Sequence, residues 1–74
     1  MELRLEADPT GCGKLGPCPK IWGTDDLGEV LVQGRRAAPE HRARMVVSDD
    51  EDVVAFPRQA LLEWAARQLA EQAR

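Results

Sequence analysis

The sequence predicts an α+β fold: a small antiparallel sheet of four to five strands, open or curled into a partial barrel, with one C-terminal α-helix packed on it. Three observations lead there. Short β-favouring runs alternate with turn residues through most of the chain, the last quarter switches to helix-favouring residues, and 74 residues leave room for only one core. A single domain over residues 1–74 is expected.

Glu2 to Glu6 sets Leu3 and Leu5 on one face and charges on the other, the period-two pattern of a half-buried strand. Residues 8–19 hold Gly11, Gly13 and Gly16 with Pro9, Pro17 and Pro19, which interrupt ladders and helices alike, so a long irregular loop is expected. Such a loop in a compact chain tends to be functional or held by a staple. Lys20–Thr24 and Glu29–Gln33 read as a hairpin around Asp25-Asp26-Leu27-Gly28. Residues 34–40 read as a polar connector. Arg44–Val47 and Asp52–Phe56 then read as a second hairpin around Ser48-Asp49-Asp50-Glu51.

Pro57 suits a first helical turn, and the sequence predicts a helix over about 57–73. Leu61, Leu62, Ala65, Ala66, Leu69 and Ala73 form one stripe, expected to lie on the sheet. Trp64 falls off that stripe. The runs Ile21-Trp22, Val30-Leu31-Val32, Met45-Val46-Val47 and Val53-Val54 put apolar side chains on both sheet faces. One helix covers only one face, so the second must be closed by curling or offered to a partner. Trp22, Leu31 and Trp64 are the expected partner-binding residues.

With 43% hydrophobic and 31% charged residues, the composition is that of a folded domain. The formal net charge of -3 argues against general binding to nucleic acid or anionic membrane. No run approaches the roughly 18 apolar residues of a membrane span. These features point to the cytoplasm, where Cys12 and Cys18 are expected to be reduced.

Gly11-Cys12-Gly13-Lys14-Leu15-Gly16 matches the dinucleotide-binding G-x-G-x-x-G pattern. Pro17 and Pro19 oppose the helix whose N-terminus would carry the pyrophosphate, so the reading is set aside. Cys12 and Cys18, spaced C-x5-C, are candidates for zinc binding or thiol redox chemistry together with His41, the sole histidine. A structural zinc site wants four ligands, so a carboxylate such as Asp8, Asp25 or Glu40, or a second chain, would have to complete it. No cofactor is otherwise implied. Arg35, Arg36, Arg42 and Arg44 form a basic stretch able to hold an anion if they converge, followed directly by the acidic run Asp49–Asp52. Ser48 and His41 lie in one turn region with no pocket to exclude water, so an enzyme is not expected.

Cys12, Cys18-Pro19, Ile21-Trp22, Thr24-Asp25, Gly28, Val30 to Gly34 and Val54-Ala55-Phe56-Pro57 before Leu61-Leu62 resemble small actinobacterial proteins often encoded beside helix-turn-helix regulators. That family has no assigned activity. The resemblance implies an accessory role in regulation and carries over no catalytic residue. The expected function is a non-catalytic protein-interaction or regulatory module, self-associating or binding another protein. The alternative is a metal-binding or thiol-redox-responsive domain using the Cys12/Cys18 loop.

Overall fold

The computed structural model describes residues 2–26 and 28–72. The chain is α+β: strands β1 (Arg4–Ala7), β2 (Lys20–Gly23), β3 (Val30–Gln33) and β4 (Arg35–Arg36), a short helix α1 (Pro39–Arg42), strand β5 (Val54–Ala55), and helix α2 (Arg58–Gln72). Strands β1, β2 and β3 form an antiparallel sheet in that order, while β4 and β5 form a separate antiparallel pair. The five strands therefore divide into three and two, and the sheet is not a closed barrel.

The first hairpin forms as expected, with Trp22 opposite Leu31 and Ile21 opposite Val32. Asp26 organises its turn, accepting the Gly28 amide on its side chain at 2.8 Å and the Glu29 amide on its carbonyl at 3.1 Å. Leu27, part of the expected turn, lies outside the described residues, as does Ala73 of the helical stripe.

The second hairpin is corrected. Arg44–Val47 is not a strand, because Pro39 in the first turn starts a four-residue helix inside the expected connector. Its turn continues through Arg44 and Met45, whose amides donate to the carbonyls of His41 and Arg42. That winding carries the Met45-Val46-Val47 run away from any ladder. The strand around Val54 instead pairs with Arg35–Arg36, and the Ala37 amide extends the pairing to the Val53 carbonyl at 3.0 Å. Gly34 permits this, since a Cβ there would lie 2.2 Å from the Ala55 carbonyl oxygen.

Register separates the two faces of the sheet. Leu5, Trp22 and Leu31 share one row, and the Trp22 indole N–H donates to Gln33 on the same face at 3.1 Å. Arg4, Gly23 and Val30 share a row on the opposite face, where the Glu6 carboxylate crosses the bare Gly23 backbone. Helix α2 lies on this second face. The Trp64 indole donates to the Glu6 carboxylate at 3.0 Å and the Arg67 guanidinium to the Glu6 carbonyl at 3.0 Å.

These anchors overturn the expected seating of the helix. Trp64 and Arg67 project from the side of α2 away from the leucines, so engaging Glu6 rotates Leu61, Leu62 and Leu69 outward. The side turned inward is Ala60, Trp64, Ala65 and Gln68, each half-buried, while Leu62 and Leu69 are 56% and 67% exposed. Among the described apolar residues, Ile21 alone is fully buried.

Candidate interaction site

Three regions carry the candidate residues. The first is the 8–19 loop. Its path depends on Gly11 and Gly13, both in the left-handed region at φ of +72° and +78°. Asp8 holds them, accepting the Gly11 amide on its carbonyl at 3.1 Å and the Gly13 amide on its carboxylate at 2.7 Å. Gly16 then passes so close to Cys12 that a side chain there would strike the Cys12 Cβ. This folding brings the Cα atoms of Cys12 and Cys18 to 6.2 Å, and the two are joined as a disulfide. The expectation of reduced thiols is corrected: a cytoplasmic reading argues from compartment, whereas the glycine-directed loop supplies the proximity.

The bridge also closes over Lys20. Its side chain is fully buried at the start of β2, and the ammonium donates to the carbonyls of Gly16 and Cys18, the latter at 3.2 Å. A buried cation needs such partners, since loss of hydration must be compensated. The loop thus satisfies the one charged side chain fully buried among the described residues. Reducing the bridge with a dithiol, or replacing both cysteines by Ser, is expected to lower stability by about 2 kcal/mol. Urea unfolding with and without reductant checks this: the double Ser variant should ignore reductant, and an unchanged midpoint for the native chain would refute the structural role.

His41 does not join the cysteines. It sits exposed on α1, both sulfurs are consumed by the disulfide, and no group of three or more His, Cys, Asp or Glu side chains is placed to hold a metal among the described residues. The zinc reading therefore has no assembled ligand set there.

The second region is the basic stretch, in which Arg36 and Arg42 both act on the Asp52 carboxylate. Arg35 and Arg36 line a surface hollow of about 490 Å³ with His41, but its remaining walls are Ala37, Ala38, Met45, Val53, Val54 and Ala55. Arg42 is instead paired with Asp52. A hydrogen bond from the Val53 amide, joined by the Arg42 guanidinium, holds the Asp52 carboxyl below the usual carboxylate range. Ser48 does the same for Asp50 through its hydroxyl and for Glu51 chiefly through its backbone amide. The acidic run is a turn ordered by its own hydrogen bonds, as its composition suggested, and it neutralises one of the arginines.

The third region is the apolar surface. Leu31 is 46% exposed on the face opposite α2, with Trp22 half-buried beside it. Trp64, expected on the contact surface, is half-buried and spends its indole N–H on Glu6, so it anchors the helix. The open positions are those the stripe was expected to hide, Leu61, Leu62 and Leu69, a set that sequence periodicity identifies while leaving its direction undecided. No helix among the described residues is long and apolar enough to cross a membrane.

No protein-family model matches the chain, and comparison with curated proteins and with solved structures gives no match.

Proposed function

We propose that the chain is a non-catalytic protein-interaction module. The observation that carries this reading is unburied area. The chain exposes 6121 Å², against about 4,500 Å² expected for a compact monomer of 8.2 kDa. Its radius of gyration of 13.8 Å likewise exceeds the roughly 11 Å of a compact chain this long. The surplus of roughly 1,600 Å² exceeds the roughly 800 Å² that each partner contributes to a standard interface. Leu31, Leu61, Leu62 and Leu69 are among the apolar side chains it leaves exposed. An accessory role beside a transcriptional regulator, as the actinobacterial resemblance implies, fits such a surface.

The test uses the outward leucines. Replacing Leu62 and Leu69 together by Asp is expected to leave folding stability within about 1 kcal/mol of the native chain, because neither side chain is in the core. A photo-crosslinking residue at position 62 should yield a discrete protein adduct in the source cells. Unfolding of the double variant, or no adduct at position 62, would rule out the leucine face of α2 as the contact surface.

A second reading has its own support in the disulfide: the Cys12/Cys18 loop as a thiol-redox-responsive element. A cellular dithiol would reduce the bridge to two thiols while being oxidised to its own disulfide, releasing the loop that holds Lys20.

A further inference from the structure

The outer edge of β3 has a self-complementary charge pattern. Strand β3 ends the three-stranded sheet, so one side of Val30–Gln33 has no ladder partner among the described residues. Val30, Leu31 and Val32 are all exposed there, with Glu29 immediately before them and Arg35 shortly after, both also exposed. Soluble proteins usually blunt an apolar edge with inward charges, bulges or coverage, because its free N–H and C=O groups recruit another strand. Here the apolar centre is left clear and the charges stand at its two ends with opposite sign.

We infer that β3 pairs antiparallel with β3 of a second copy, joining two three-stranded sheets into one sheet of six strands. The inference rests on the reading of the chain as an interaction module and names one partner for it. A two-fold axis at Val32 sets Val32 against the partner's Val32, Leu31 against the partner's Gln33, Val30 against the partner's Gly34 and Glu29 against the partner's Arg35. The symmetry repeats every contact, so two Glu–Arg pairs flank the apolar centre. No like charges face each other along the ladder, which in cross-strand positions would oppose pairing. An unrelated extended peptide could use the same free backbone groups but would match this charge order only by chance. The surplus surface is sufficient for such a contact with the outward leucines of α2 left open.

The experiment is a charge exchange read by sedimentation equilibrium, with circular dichroism to confirm folding. Both positions are exposed, so the variants should fold. Glu29→Arg alone or Arg35→Glu alone sets like charges opposite each other twice and should weaken the dimer about tenfold. The double variant Glu29→Arg, Arg35→Glu restores opposite pairing and should recover association to within about threefold of the native chain. The Leu62→Asp, Leu69→Asp variant should dimerise normally. Three results would overturn the inference: a native chain that stays monomeric at high concentration, single variants that associate like it, or a double variant that fails to recover. If the leucine variant loses association and the charge variants keep it, the β3 interface is refuted while the interaction reading survives.

Discussion

Replacing Ile21 by Ala should cost about 2–5 kcal/mol, a large part of the 5–15 kcal/mol that holds an ordinary domain together. Most chains spread such a loss over many core side chains. Here the described apolar residues include only one with no exposure, and it lies on the central strand between Ala7 of β1 and Val32 of β3. Truncation leaves a cavity on the central strand, between its two ladder partners. Urea unfolding followed by Trp fluorescence measures the effect. A loss under about 1 kcal/mol would show that the isolated fold does not depend on this side chain.

Gly34→Ala should be nearly as damaging for a different reason. Its new Cβ would lie 2.2 Å from the Ala55 carbonyl oxygen and 3.2 Å from the carbonyl carbon. These are backbone atoms and cannot rotate aside as a side chain would. The expected cost is about 3 kcal/mol, the upper range for overpacking, through separation of β4 from β5. Hydrogen exchange at the Ala37 amide is the direct readout, since that amide donates to Val53 at the end of the same pairing. Exchange should accelerate in the variant, with β1–β2 protection kept; unchanged exchange would contradict the close approach.

The two substitutions mark the boundary of what sequence patterns convey. Alternation in Glu2–Glu6 and the two β runs around Asp25–Gly28 identified β1 and the β2–β3 hairpin, because both depend on neighbours in sequence. Strand β4 was missed because Arg35–Arg36 has no apolar period. Its pairing depends on a backbone approach allowed by the missing side chain at Gly34. The strand expected at Arg44–Val47 had ample β propensity, yet a Pro-initiated turn of helix consumed the adjoining backbone hydrogen bonds. In the candidate site, the loop was legible as unusual from its glycines, prolines and paired cysteines. Closure of the disulfide over Lys20 was not, since it required the positive φ of Gly11 and Gly13 and the tight passage of Gly16.

The terminal helix separates the two kinds of information most clearly. The sequence by itself determined that it forms, where it begins and that leucines and Trp64 occupy different sides, because these follow from propensity and a 100° step. Only the tertiary structure decided which side meets the sheet. Glu6, more than fifty residues away in the chain, supplies acceptors for both Trp64 and Arg67, and those two bonds roll the leucines toward solvent. Periodicity records that a helix has an apolar face; it carries no record of the distant group that the opposite side engages.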